Sequence, residues 1–237
     1  MGSTGSSNDA FQGALGKKSS TNTGLTAIQE AIDNNSINPN YNSGDSKYRT
    51  NCALCATAVA LKAMGYDVEA MPRDTTWRGY DTIFDVDYTN PDNYIYSGAQ
   101  GFKYIGMPTK QQIVHGNGGG KITYSDIPTM PKGANQASKA IIDKVQSWGK
   151  GAVGILRVKW KGTSSAHAVN VINTGHNVVI YDAQCNKVYG DIKGYLKNTI
   201  AYKTVLLRMD NATITKNLHM GDVNKMVKKS TAKKKQK

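Results

Sequence analysis

The spacing of apolar residues predicts three helices in this chain. Residues 52–64 carry apolar side chains at helical spacing and Gly65 ends the run, which fits a helix of about three to four turns. Residues 131–148 show the same spacing and are followed by Gly149 and Gly151, residues that commonly end helices. A narrower apolar stripe over residues 25–34 predicts a short helix that closes over the core.

Alternation of apolar and polar residues predicts strands in the second half of the chain. Residues 151–160 alternate, and residues 165–184 do so on either side of the turn sequence at 174–177, which is typical of a β-hairpin. Helices followed by paired strands indicate an α+β fold. The remaining predictions are irregular structure with short strands over residues 72–124, a strand over residues 200–209 and a weak helix over residues 210–227.

A cysteine stands at the start of the helix predicted over residues 52–64. Asn51 suits the N-cap position, because its side-chain oxygen can accept a hydrogen bond from an amide of the first turn. Cys52 then falls where unpaired amides and the positive end of the helix dipole favour a thiolate, as a nucleophile requires. Cys55 lies one turn further in and is expected to face the core. Two alternatives stay open: Cys52 is an ordinary buried cysteine, or Cys55 is the nucleophile.

The predicted hairpin supplies a candidate base and a candidate carboxylate. His167 opens its first strand and Asp182 closes the second, so folding at the turn sets these two residues side by side. A carboxylate at that position can hold one imidazole nitrogen and leave the other facing a thiol. The alternatives are a core histidine and a carboxylate that caps the end of a strand.

Two amide side chains are candidates for contact with a substrate. Gln184 lies two residues beyond Asp182, on the same face if the strand continues, and either binds substrate, supports the neighbouring groups or anchors a loop. The backbone amide of Cys52 is well placed to stabilise an oxyanion at the helix N-terminus. The Asn51 side chain is a candidate second donor, in competition with its capping role.

Several short blocks of sequence resemble the signature of a known family. They occur in the family's order, span roughly residues 36 to 210, and are similar to the papain-fold toxin domains of bacterial polymorphic toxins and of phage minor head proteins. The blocks are Asn38-Pro39-Asn40-Tyr41, Arg49-Thr50-Asn51-Cys52, Gly65-Tyr66-Asp67-Val68-Glu69-Ala70, His167-Ala168-Val169-Asn170-Val171 and Asp182-Ala183-Gln184.

The resemblance implies a papain-like fold in which an N-terminal cysteine helix packs on a small antiparallel sheet. It also implies a triad of Cys52, His167 and Asp182 that attacks an amide carbonyl, with deamidation of glutamine as the usual activity. A protease or isopeptidase of the same fold, and a transglutaminase, use the same triad and stay open as alternatives. A non-enzymatic virion or nucleic-acid-binding protein is the alternative from a different class.

Length and charge suggest one domain with extensions. The chain has 237 residues and a formal net charge of +13, and seven of its lysines lie within residues 225–237. We expect a flexible leader over residues 1–24, a catalytic domain over residues 25–210, and an extension with a disordered basic tail over residues 211–237. That tail is a candidate for non-specific contact with nucleic acid.

The remaining composition indicates no cofactor and no metal. Cys52 and Cys55 with Cys185 can be interpreted as part of a zinc site, but a second paired motif is missing. We expect a protein substrate, with a phage virion or an immunity protein as a further candidate partner. No apolar run is long enough to span a membrane and no secretory signal is apparent, so the bacterial cytoplasm or a phage virion is the expected location.

Overall fold

The computed structural model describes residue 15 and residues 18–74, 82–97, 108–115, 122–216 and 218–231. Most of the predicted leader and the end of the basic tail therefore lie outside the described residues. So does much of the stretch predicted to be irregular over residues 72–124. What the sequence predicts for those segments stays a prediction.

The three helices predicted from apolar spacing are confirmed. The helix that begins at Cys52 is buried on every side from Ala53 to Lys62, as expected of a helix in the centre of a core. It ends before Gly65, whose φ of 98° suits glycine better than any other residue. The described helices are α1 (Gly24–Asp33), α2 (Cys52–Ala63), α3 (Lys110–Val114), α4 (Ala134–Ser147), α5 (Ile192–Leu196) and α6 (Met220–Met226).

Within the described residues, six strands form one antiparallel sheet in the order β3-β8-β4-β5-β6-β7. The predicted hairpin is confirmed: its two strands are β5 and β6, and they pair from Asn173 opposite Val178 to Asn170 opposite Tyr181. The strands of this sheet are β3 (Tyr94–Ile95), β4 (Val153–Lys159), β5 (Ala166–Asn173), β6 (Val178–Asp182), β7 (Lys187–Tyr189) and β8 (Val205–Arg208).

The sheet lies between two layers of helix. Alternate residues of β5 face opposite sides, so Ala168 and Ile172 join the cluster around α2 while Val169 and Val171 join the cluster around α4. Asn170 is fully buried among these apolar residues and its amide nitrogen donates to Ala56 O of α2 at 3.2 Å. That hydrogen bond holds the cysteine helix against the sheet. Within the described residues, no helix has both the length and the apolar character needed to cross a membrane.

The strand predicted over residues 200–209 is too long. Only β8 is extended, and Ala201–Lys203 form a 3-10 turn that leads into it. The amide of Ile200 donates to Lys159 O at the end of β4 at 2.8 Å. Because this bond holds Ile200 beside β4, the chain must turn before it can enter β8.

The prediction of a disordered tail is wrong up to residue 231. Strand β10 (Val227–Lys229) follows α6 directly and pairs antiparallel with β1 (Val68–Ala70). Met226 and Val227 are fully buried. The buried carboxylate of Glu69 accepts hydrogen bonds from Thr231 and pairs with Lys228 at 3.0 Å. A short apolar pair and one ion pair therefore order a segment whose lysine content suggested disorder. The remaining described strands, β2 (Phe84–Asp85) and β9 (Thr213–Ile214), pair with each other.

Candidate active site

Three elements bring the candidate catalytic side chains to one edge of the sheet. Cys52 is the first residue of α2, His167 is the second residue of β5, and Asp182 is the last residue of β6. Because β5 and β6 are antiparallel, the beginning of one lies beside the end of the other. The N-terminus of α2 meets the sheet at that edge, where the thiol of Cys52 and the imidazole of His167 come close enough to shift each other's pKa.

The imidazole of His167 is held from two sides. Its Nε2 lies 2.7 Å from Oδ2 of Asp182, which leaves Nδ1 for the thiol of Cys52. The second carboxylate oxygen of Asp182 accepts from the backbone amide of Gln184 at 3.2 Å. Trp160 stacks on the imidazole, with ring centroids 6.2 Å apart and an angle of 26° between the planes. The side chains of His167 and Asp182 are largely buried, at 13% and 10% exposed.

The thiol and the imidazole shift each other toward their charged forms. Burial raises the pKa of Cys52, but the hydrogen bond and charge of His167, with the backbone amide of Ala168, outweigh it and lower that pKa below its ordinary value. Burial lowers the pKa of His167, and the contacts with Asp182 and Cys52 more than reverse this, so the pKa of His167 is raised. The arrangement favours a thiolate beside an imidazolium.

The other two cysteines of the chain have the opposite environment. Cys55 is buried in the core, and its burial raises the pKa of the thiol well above its ordinary value. Burial, followed by the charge of Asp182, raises the pKa of Cys185 to about 11. Cys52 is therefore the cysteine whose surroundings stabilise a thiolate.

Asn51 stands at the N-cap position, but the expected capping hydrogen bond from its side chain is absent. Its amide nitrogen donates instead to Oδ1 of Asn38 at 3.2 Å and to Met71 O at 3.0 Å. Its side-chain oxygen lies 3.4 Å from the amide nitrogens of both Asn38 and Gln184. The side chain connects α2 to neighbouring loops, while the backbone carbonyl of Asn51 accepts the first helical hydrogen bonds from Leu54 and Cys55.

Gln184 lies in a turn and not on a continued strand, because β6 ends at Asp182. Its side-chain nitrogen reaches Asn51 at 3.4 Å, and its backbone carbonyl accepts from Asn38 at 2.8 Å. The side chains of Asn51 and Gln184 are therefore in contact. Asn51 directly precedes Cys52, and Gln184 follows Asp182 by two residues.

Two residues beside the site had no role in the sequence-based prediction. Asn38 is fully buried and its amide nitrogen donates to Tyr48 O at 2.9 Å as well as to Gln184 O. Its block of sequence resembled the family signature, but nothing in the pattern showed what it contacts. Trp160 directly follows β4, and only the pairing of β4 with β5 puts it next to His167.

The geometry suits nucleophilic chemistry at a carbonyl group. A buried carboxylate is hydrogen-bonded to an imidazole, and that imidazole interacts with a thiol at the N-terminus of a helix. The first amides of a helix have no partner within it, so they are available to stabilise an oxyanion. Among the described residues, no group of three or more His, Cys, Asp or Glu side chains is arranged to hold a metal ion.

Comparison with known families agrees with this geometry. A sequence model of the family described as papain fold toxin 1, glutamine deamidase, matches residues 50–187, more than half of the chain. The matched residues include Cys52, His167 and Asp182. Searches among curated proteins and among solved structures found no match. The expected α+β fold of papain type is confirmed, and the chain belongs to the papain fold toxin 1 family of glutamine deamidases.

Proposed function

We propose that this protein is a cysteine amidohydrolase that converts glutamine side chains of a protein substrate to glutamate. The observation that carries the proposal is the arrangement of three side chains at the N-terminus of α2: Asp182 holds His167 by a hydrogen bond of 2.7 Å, and His167 interacts with the thiol of Cys52. Cys52 is the proposed nucleophile and His167 the proposed acid and base. Asp182 is the proposed positioning group, which holds the imidazole with Nδ1 toward the thiol and stabilises its charged form.

The reaction proceeds through a thioester. The Cys52 thiolate attacks the carboxamide carbon, and the backbone amide of Cys52 stabilises the resulting oxyanion. The His167 imidazolium gives its proton to the nitrogen, which leaves as ammonia. Water then attacks the thioester while His167 removes one of its protons, and the thiolate departs as the carboxylic acid forms.

Asn51 and Gln184 are proposed to shape the site around the oxyanion. Both N–H groups of the Asn51 amide are engaged, by Asn38 and by Met71, so this side chain supports the helix start and donates nothing to substrate. Among the described residues, the side-chain nitrogen of Gln184 contacts only Asn51. One of its N–H groups is therefore available, and we propose it as the second contact to the substrate carbonyl.

A pair of cysteine variants tests the proposal. Ammonia release from a glutamine-containing protein or peptide is measured for the wild type, Cys52→Ala and Cys55→Ala, with circular dichroism and the melting temperature as controls of folding. We expect Cys52→Ala to abolish release and Cys55→Ala to retain it. Loss of activity in a folded Cys55→Ala variant, with activity kept in Cys52→Ala, would exchange the two roles.

Mass spectrometry of the same reaction separates the alternatives. Conversion of an amide to an acid in an intact chain indicates deamidation, whereas new termini indicate a protease or isopeptidase. Incorporation of an added amine indicates a transglutaminase. If none of these products forms, a non-enzymatic virion or nucleic-acid-binding role becomes the better account.

A further inference from the structure

The edge of the sheet that carries Cys52 also carries a group of positively charged side chains. The end of β4 pairs with the start of β5, the end of β6 pairs with the start of β7, and the start of β8 lies beside β4. The loop that precedes Cys52 joins this edge where Asn38 links Tyr48 O to Gln184 O, and α5 joins it where Lys161 donates to Lys197 O. We name the cations on them the basic rim, which consists of Lys47, Arg49, Lys159, Lys161, Lys187, Lys193, Lys197 and Lys203.

The basic rim is not neutralised by nearby carboxylates. Lys and Arg ion pairs do form elsewhere in the described part of the chain, for example Arg208 with Asp210 at 2.9 Å and Lys144 with Asp92 at 3.0 Å. Among the described residues, none of the eight rim cations forms an ion pair; Lys161 instead donates to a backbone carbonyl, that of Lys197, at 2.6 Å.

The exposed acids of the same region are fewer and are engaged by amides. Asp45 accepts from the backbone amide of Lys47 at 2.9 Å, and Asp191 accepts from that of Gly194 at 2.8 Å. Asp33 accepts from the side chain of Gln29. Asp74 also lies near the rim, because the amide of the preceding Arg73 donates to Lys47 O at 3.0 Å. These acids are still fewer than the eight rim cations, and the excess of positive charge attracts anionic partners over a Debye length of about 8 Å at physiological salt.

We propose that the basic rim binds an acidic surface of the substrate protein, so that the preferred glutamine has acidic neighbours. This inference rests on the proposed deamidase function and names its substrate class. A nucleic acid is also a polyanion, but it presents no primary carboxamide to Cys52. An acidic protein matches both the charge of the rim and the chemistry of the thiol at the same edge of the sheet.

Binding of peptides to the inactive Cys52→Ala variant tests the rim independently of turnover. Three labelled peptides contain one glutamine flanked on each side by glutamates, by serines or by lysines, and fluorescence anisotropy gives their Kd at low and at high salt. We expect the acidic peptide to bind about tenfold more tightly than the serine peptide at low salt, with the ratio approaching one as salt is added. Equal Kd values at low salt would overturn the proposal.

Charge reversals locate the effect. Lys161→Glu and Lys187→Glu, each in the Cys52→Ala background, are expected to lower the acidic-to-serine affinity ratio several-fold. Lys150→Glu is the matched control, because Lys150 is exposed, carries the same charge and lies against the β5–β6 turn at the opposite edge of the sheet. If Lys150→Glu lowers the ratio as much as Lys161→Glu does, net charge alone is responsible and the rim proposal is wrong.

A second experiment measures turnover of the same peptides by the active wild-type enzyme. The ratio of kcat/KM for ammonia release from the acidic and serine peptides is expected to follow the ratio of their affinities. Acidic preference in binding without ammonia release from any peptide would support the rim and contradict the deamidase function. Release from the serine and acidic peptides at equal kcat/KM, with equal Kd, would support the deamidase and contradict the rim. A DNA duplex that binds Cys52→Ala while the acidic peptide shows no preference would also contradict it.

Discussion

At the scale of single residues, the site depends on the two hydrogen bonds that the carboxylate of Asp182 accepts, one at each oxygen. One oxygen accepts from Nε2 of His167 at 2.7 Å and the other from the amide of Gln184 at 3.2 Å. The carboxylate is therefore fixed from both sides, and it in turn fixes which imidazole nitrogen faces Cys52. Trp160 stacks on the imidazole and adds an aromatic contact to the two groups that hold it.

Replacing this carboxylate by an amide tests its positioning role. Asp182→Asn keeps the shape of the side chain but offers an N–H where His167 needs an acceptor, which favours the wrong tautomer of the imidazole. We expect kcat to fall by roughly 10²–10⁴-fold, while the melting temperature changes little. A variant with wild-type kcat would remove Asp182 from the proposed mechanism.

A second prediction at this scale concerns Asn38. Asn38→Ala removes the donor that joins Tyr48 and Gln184 and leaves their partly buried carbonyl oxygens without it. The expected cost in the free energy of unfolding is about 2–3 kcal/mol, with a fall in kcat, because the start of α2 and the turn after Asp182 lose their link. Urea denaturation and ammonia release measure the two effects. Asn211→Ala, which removes a hydrogen bond to Asn93, is the control expected to lower stability without a comparable fall in kcat.

These residues also show what sequence could and could not predict. Cys52 at a helix start and His167 and Asp182 at hairpin ends are local patterns, so the approach of His167 to Asp182 could be predicted from periodicity. That Cys52 joins them was implied by the family resemblance. The Asn38, Asn51 and Gln184 contacts join segments far apart in the chain, and an asparagine before a helix gave the misleading expectation of a side-chain cap. Amide side chains bond equally well to caps, loops and one another, so their partners follow only from tertiary structure.

At the scale of elements, the β5–β6 hairpin sets the spacing between His167 and Asp182. Its turn includes Gly175, whose φ of 90° is a left-handed conformation that strains other residues. The turn lies at the opposite end of the hairpin from the site. Its geometry should therefore contribute to stability more than to chemistry, provided the register of the two strands is kept.

Gly175→Ala separates these two contributions. We expect the free energy of unfolding to fall by about 1–2 kcal/mol, since alanine is strained at this φ and its Cβ would approach the Lys150 side chain, while kcat stays close to wild type. Gly190→Ala, where an added Cβ meets no atom within 4 Å, is the control with little expected change. A large fall in kcat for a folded Gly175→Ala variant would mean that the turn controls the register at the site.

At the scale of the whole molecule, the C-terminal segment belongs to the structure that supports the site. Met71 donates its backbone amide to Met226 O at 3.0 Å, and the carbonyl of Met71 accepts from Asn51. Met71 thus links the C-terminal segment to Asn51, the residue that precedes Cys52. The sequence did not indicate this, because the apolar pair Met226-Val227 between lysines is too short to show periodicity.

Two truncations test the importance of this segment. Deleting residues 225–237 removes β10 and the buried side chains of Met226 and Val227, for which we expect a loss of about 3 kcal/mol or more and a melting temperature lower by roughly 10 °C. Deleting residues 232–237 is expected to leave the melting temperature and turnover of a neutral peptide unchanged and to weaken salt-sensitive binding of DNA. Equal melting temperatures for both truncations would contradict the structural role of β10.

The central claim is that Cys52 and His167 form a thiolate–imidazolium pair, and the pH dependence of iodoacetamide alkylation tests it most directly. The pKa of Cys52 is lowered and that of His167 is raised, so the thiolate should persist well below the pKa of about 8.5 of an ordinary thiol, while the imidazolium is lost only at higher pH. We therefore expect wild-type Cys52, identified by peptide mapping, to react at acidic to neutral pH. In His167→Ala the burial of the thiol remains and its partner is gone, so the profile should move to the ordinary value or above. Coincident profiles for wild type and His167→Ala, or faster labelling of Cys185 than of Cys52, would contradict the account.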